Sequence, residues 1–431
     1  MFPHLTFALL AFQAGLSASS PAPTDSLELR VRIGESDFGP GPIHGRIELA
    51  RLPESLRSRI QNGSVAVSVV GVDSAEVGGA GDAQLEVWPG SGSGGASARL
   101  LWMSRGVLPK RSTVTARVMF PSNQRSEESH SPWSWTLQQD GGLVLKLGET
   151  VVFHYKTLPV NAPGGAPIQA RDAYLHPVFS PSGALITGDF SPFHTHHRGF
   201  FLAYTKVAVG DAHPDFWNFH QGKGRIVFDQ LDGRWPGPVS ARFRSRHRWQ
   251  LPDGKVVLRE QWDLEAYRVP ETPYWLFDLT STQQAEDLPL VLDPYRYGGM
   301  AYRGAEPFVK GGIDVLTDLG RGRKERDQKP ARWVDLTGPI AEGSTNFAGA
   351  CILDHPANEN HPTIARIHPT TLPFFSFVPS HDRVVTITKD TPKVFRYRVL
   401  VHDGHPDGTL DERLWHDFAA PPRVEVVDGR P

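Results

Sequence analysis

The chain has a single cysteine in 431 residues, so no intrachain disulfide can form and its fold must rest on hydrophobic cores. That residue, Cys351, stands in "FAGACILDH". Its apolar neighbours predict a buried strand position, not the accessible, electropositive setting that a thiolate nucleophile needs. Excess charge of either sign is also missing. With 21% charged residues and a formal net charge of −2, the chain carries no broad field to attract nucleic acid or an anionic membrane. Past the N-terminus no stretch approaches the ~18 uninterrupted apolar residues of a membrane span. There is no Gly-rich phosphate loop, no G-x-S-x-G elbow, no H-E-x-x-H and no CxxC pair. Nucleotide chemistry, serine hydrolysis and zincin proteolysis therefore lose their usual support.

What the chain does have is punctuation. Glycine (42) and proline (37) recur so often that long helices have little room. Between them lie short alternating runs, among them "SLELRVRI" (26–33), "SVAVSVVGV" (64–72), "STVTARVMF" (112–120), "SARFRSRHRWQL", "KVVLREQWDL" and "KVFRYRVLVHDG", which predict strands with one face buried. Asp140-Gly141-Gly142 is a hairpin signal, and only "LDERLWHDFA" and "LPESLRSRI" have helical spacing. Strands without alternating helices predict an all-β fold, a large antiparallel β-sandwich preceded by a small β-sandwich module. The start "MFPHLTFALLAFQAGLSASSPAP" has the apolar stretch and small-residue cleavage pattern of a signal peptide, although its first residues hold no Lys or Arg. The expected organisation is a signal peptide over 1–20, an N-terminal module over 26–120, a polar linker over 121–132, the large sandwich over 133–418 and a tail over 419–431. The expected location is periplasmic or secreted.

Three clusters could carry chemistry. In "SPFHTHHRGFF" (191–201), His194, His196, His197 and Arg198 crowd a loop marked by Pro192 and Gly199. Imidazoles that titrate near neutrality beside a guanidinium that neutralises an oxyanion suit acid/base work on a hydroxyl or carbonyl. His194 and His196 could also present two nitrogens to a metal, with a third from His176, His220, His247, His355, His361 or His381; with 18 histidines such pairs arise by chance, and no metal site is assigned. In "HPDFWNFH" (213–220), Asp215 and Trp217 have the make-up of a sugar subsite, although aromatic core packing would look the same. In "ILDHPANENHPT" (352–363), Asp354 and His355 end an apolar strand where polar loops commonly build sites, or where Asp354 simply caps a turn. A fourth feature, Arg242, Arg244, Arg246 and Arg248 in "ARFRSRHRW", reads first as a charged strand face and second as a surface for anionic sugars.

The succession "YLHPVFSPSGALITGDFSPFHTHHRGFFLAYTKV", "DFWNF", "GGMAYRG", "GACILDHPANENHPT" and "FRYRVLVHDG" resembles the bacterial domain-of-unknown-function family often labelled "methane oxygenase PmoA", over about residues 135–405. The membrane subunit that this label invokes needs spanning helices, which the chain lacks. The resemblance implies a secreted or periplasmic protein of polysaccharide-degrading bacteria. Its matching polar positions are His194, His196, His197, Arg198, Asp215, Trp217, Arg303, Asp354, His355 and Asn358. It also implies an acidic residue just before the first histidine, where this chain has Phe193.

The expected function is therefore an exported carbohydrate lyase, epimerase or hydrolase. His194, His196, His197, Arg198, Asp354 and His355 would be catalytic, and Asp215, Trp217, Arg303 and Asn358 would bind a small-molecule or glycan substrate. No cofactor, nucleic-acid partner or membrane span is assigned. The alternatives are a non-catalytic glycan-binding or structural protein, and a metal-dependent oxygenase as the label suggests.

Overall fold

The structure, a computed structural model, describes residues 25–48, 50, 54, 57, 67–73, 81–88, 97–120, 131–161, 170–191, 194–269 and 272–427. The expected signal peptide, most of the linker, nearly all of "LPESLRSRI", and Pro192 with Phe193 lie outside these residues.

Two nine-stranded antiparallel sheets face each other across one core, giving the large β-sandwich that the alternating runs predict. The first, here the front sheet, runs Lys329–Pro330, Ile364–Ile367, Phe374–Val378, Gly299–Arg303, Phe200–Ala203, Leu175–Val178, Thr150–Lys156, Gly142–Leu147 and Trp133–Leu137 in spatial order. The second, the back sheet, is centred on the long strands Ser240–Gln250, Val256–Tyr267, Tyr274–Ala285 and Lys393–Asp403, with Phe347–Asp354 beside the last. Strand Ser240–Gln250 shows why the pattern works. Ala241, Phe243, Ser245, His247 and Trp249 are buried, while the intervening arginines occupy the other face. The hairpin signal also holds: Gly141 takes φ 76°, and Asp140 accepts a hydrogen bond from the Gly142 amide at 2.9 Å. Cys351 is buried in Phe347–Asp354.

One polar network crosses the interior. Glu260 accepts from Trp249 Nε1, Trp262 Nε1 and Ser281 Oγ at 2.6–3.1 Å and pairs with His247 Nδ1 at 3.0 Å. Because the carboxylate is surrounded by donors, its pKa is held below the usual value despite burial. This places His247 within the core.

The N-terminal sheet has seven strands, and its first and last meet. The Cβ position of Gly45, on Pro42–Glu48, lies 2.9 Å from Val424 Cγ1 on Arg423–Val426, so the sheet rolls around its own core of Leu29, Val31, Ile43, Leu85, Leu100 and Val118. Residues 423–426, expected to belong to a tail, are thus a strand paired antiparallel with Asp25–Arg32. Their alternation Arg-Val-Glu-Val is too short to stand out from sequence.

The helix Gly408–Ala419 forms where the spacing predicts, with Asp407 Oδ1 accepting from the Thr409 and Leu410 amides. Its Leu414 packs with Leu101 of the N-terminal sheet and Leu276, Leu353 and Leu400 of the back sheet in a third core. The back sheet is consequently covered on both faces. No helix among the described residues is long and apolar enough to cross a membrane.

Candidate functional site

A cavity of about 210 Å³ lies on the outer face of the front sheet. Phe200 turns inward, its ring 6.2 Å from Phe277 of the back sheet, and Phe201 turns outward against Trp217 at 4.9 Å. On that outer side, neighbouring strands supply Phe374 and Arg366, and His368 follows at the end of Ile364–Ile367. Three loops complete the wall: His194, His196 and His197 from the first, Trp217 and Asn218 from the second, Arg296 and Tyr297 from the third.

The histidine loop is a tight turn, in which the His194 amide donates to Ser191 O and the His197 amide to His194 O. It gathers the imidazoles closely. Ring centroids of His196 and His197 are 4.5 Å apart and those of His194 and His197 5.0 Å, while His220 stacks on His196 at 5.1 Å. His197 is buried, stacked on Phe374 at 4.5 Å, and its Nδ1 has no hydrogen-bond partner among the described residues; nor has the Nδ1 of His194 or His220. His368 joins from the far strand, 6.3 Å from His194, and its Nδ1 accepts the Leu372 amide at 3.3 Å, which leaves its proton on Nε2.

Burial chiefly depresses the basicity of these imidazoles, and neighbouring cations lower it further. His196 falls to about 3 and His368 to about 4, His197 lies well below the usual value, and His194 is lowered with Arg303 contributing. At neutral pH His194, His196, His197 and His368 are therefore uncharged.

Arg303 is fully buried and shares the outer face with Phe374, its cross-strand partner. One nitrogen donates to Glu306 Oε1 at 2.8 Å, and Nε and Nη1 have no partner among the described residues.

The structure does not bring the other expected groups to the cavity wall. Arg198 lies under the histidine loop: its side chain pairs with Asp189 at 3.2 Å, donates to Thr195 O and His197 O, and stacks over Phe190 at 3.7 Å. These contacts tie the Arg198 side chain to the loop, outside the cavity lining. Asp215 accepts from Thr205 Oγ1, the Trp217 and Asn218 amides and Asn218 Nδ2 at 2.8–3.0 Å, so it holds the loop that carries Trp217 and stands outside the cavity lining. Asp354, His355 and Asn358 belong to a separate cluster at the end of a back-sheet strand. There Asp354, with no exposed surface, accepts from Asn358 Nδ2 at 2.7 Å and the Thr363 amide at 3.1 Å and pairs with His361 at 2.8 Å. His355 Nδ1 accepts the Ala357 amide, and its ring meets Phe418 edge-on. The turn-capping reading of Asp354 is the one the geometry supports.

Of the additional histidines weighed as ligands, His220 joins the cluster, whereas His176 bonds Thr187, His361 bonds Asp354 and His381 approaches Gln328. Among the described residues no three His, Cys, Asp or Glu side chains stand in a metal-holding arrangement. The arginine stripe is saturated: Arg244 pairs with Asp263, Arg246 with Asp232 and Arg248 with Asp229 at 2.8–3.0 Å, and Arg242 reaches Glu86 of the N-terminal sheet at 3.5 Å.

Together these features define an antiparallel β-sandwich protein with a histidine-lined cavity on its front sheet. The chain belongs to the Family of unknown function (DUF6807), whose model matches residues 124–416. No curated protein matches. Among solved structures, an alpha-mannosidase from Enterococcus faecalis V583 aligns at 8% identity with a TM-score of 0.37, over 94% of this chain and 46% of that one, so the chain spans about half that protein's length.

Proposed function

We propose that this is an exported carbohydrate-active enzyme that moves protons at a sugar carbon with a neutral imidazole base. The observation that carries the reading is the meeting of four lowered imidazoles with the rings of Trp217, Tyr297 and Phe374 in one cavity. Aromatic faces suit a pyranose, Asn218 offers hydrogen bonds, and an imidazole that is uncharged at neutral pH has a free nitrogen to take a proton beside a carbonyl or carboxyl group. Among the described residues no Asp or Glu lines the cavity, so the paired carboxylates of ordinary glycoside hydrolysis are not found in its described walls. That favours a lyase or epimerase over a hydrolase. Export rests on the apolar stretch Leu5–Phe12 and the small residues Ala18-Ser19-Ser20.

His196 is the best placed base, half-buried with His220 stacked behind it. The test is proton NMR in D₂O over a panel of sugars, keto-sugars and sugar acids, following deuterium entry or a new vinylic signal. His196→Ala should slow turnover by about 10²-fold or more, the usual share of a general base, with its circular dichroism unchanged. Sugar binding without exchange or turnover in the wild type would leave a glycan-binding protein instead. One rival is the metal-dependent oxygenase suggested by the sequence resemblance, although no three side chains among the described residues stand in a metal-holding arrangement. Metal analysis after supplementation, with His194→Ala as control, separates it, because a stoichiometric metal lost in that variant would displace the proton-transfer reading.

A further inference from the structure

We infer that the substrate of this cavity is a sugar acid, a hexuronic acid or its glycoside, whose carboxylate is bound by Arg296. The inference rests on the carbohydrate reading above and names its substrate class. Among the described residues two arginines and no carboxylate line the cavity. Arg366 is already engaged, paired with Asp327 at 2.5 Å and donating to Ile367 O at 2.9 Å. Arg296 is exposed and has no carboxylate partner among the described residues; its guanidinium carbon lies 5.9 Å from the centre of the Tyr297 ring. Tyr297 in turn lies within 3.4 Å of Asn218 Nδ2, which ties that loop to the one held by Asp215. An arginine fork on an anchored loop matches carboxylate geometry.

A second observation points the same way. Arg303, fully buried on the outer face of the front sheet, keeps two nitrogens without partners, and His197, buried in the wall, keeps Nδ1 without one. The Arg303 charge, paired with Glu306 on one side, is felt at His194 in the cavity wall, and that field favours an anionic ligand over a neutral one.

The chemistry closes on the same substrate. A carbon-bound proton beside an ionised carboxylate is very weakly acidic unless the carboxylate's charge is neutralised, which is what a guanidinium does. A His196 nitrogen takes the C5 proton, and the C–H electron pair moves into the carboxylate to give an enediolate held by Arg296. That pair then forms the C4=C5 double bond as the C4–O bond breaks with its electrons on oxygen, and the His196 imidazolium gives its proton to the departing oxygen. No oxidant is consumed.

The experiment is isothermal titration of the full chain with glucuronate, galacturonate, glucose, galactose and lactate, at low and high salt. The acids should bind at least about tenfold more tightly than their neutral counterparts, the size of one charge-assisted contact, and lose that margin at high salt. Arg296→Gln should weaken acid binding by a similar factor and affect neutral sugars less. Neutral sugars binding as well as the acids would overturn the acid assignment and leave the carbohydrate reading standing. Lactate binding as tightly as the uronates would overturn it too, because the aromatic walls would then contribute nothing. If no sugar of either kind binds, both readings fall together.

Discussion

A guanidinium with no exposed surface stays protonated, and in Arg303 that charge sits near imidazoles already short of water. Desolvation and this neighbour act in one direction, so the neutral imidazole persists far into acid. With His196 at about 3 and His368 at about 4, kcat/KM should stay level between about pH 5 and 8, its acid limb lying below the ordinary histidine range near 6.5. An acid limb near 6.5 in the measured profile would mean that the working base is not one of these rings. The same shifts affect stability with a definite sign. Below about pH 6.5 the unfolded imidazoles take up protons that the folded ones refuse, so their contribution to stability shrinks as pH falls toward the folded values.

The loop over 213–220 shows how one carboxylate sets the position of an element. Asp215 satisfies two backbone amides and two side chains, and the loop delivers Trp217 and Asn218 to the cavity only in that conformation. Asp215→Ala should cost about 1–3 kcal/mol in thermal or urea unfolding and weaken ligand binding through the displaced loop. Lost binding at unchanged stability would restore Asp215 as a direct contact.

Much of the strand layout was legible, because alternation such as Ala241, Phe243, Ser245, His247, Trp249 follows from the two-residue period of a sheet. The histidine loop was legible too, through sheer density of imidazoles. Arg366, His368 and Phe374 were not: they come from strands about 170 residues further on, and no local pattern says that Phe374–Val378 lies beside Gly299–Arg303. Asp354 misled for the opposite reason. A carboxylate at a strand end has the same neighbours in sequence whether it caps a loop or meets a ligand, and only its bonds to Asn358, His361 and Thr363 decide.

At the scale of the whole molecule, the N-terminal sheet and the sandwich share a buried polar seam. Arg99 bonds both oxygens of Glu265 at 2.7 Å and Glu86 at 2.9 Å; Gln84 accepts the Val239 and Ser240 amides, and Asp417 accepts the Gly39 amide. Two nearly buried carboxylates share that guanidinium, with Arg242 reaching Glu86 and Ser240 Oγ donating to Glu265 beside it. Arg99→Ala should therefore cost about 3–5 kcal/mol, the range for stranding a buried charge. Urea unfolding of the wild type followed by tryptophan fluorescence should show one transition, since Leu101 and Leu414 join both parts in a single core. Two separated transitions would show that the seam does not couple them.

The strand Arg423–Val426 gives this architecture a timetable. It borders Asp25–Arg32, the first strand described, so residues some 390 positions apart in the chain become neighbours in one sheet. A ribosome delivers the beginning of that sheet some 390 residues before the strand that closes it. Until Arg423–Val426 emerges, the N-terminal sheet must wait with an open edge, and the roll seals only after the whole sandwich has been made.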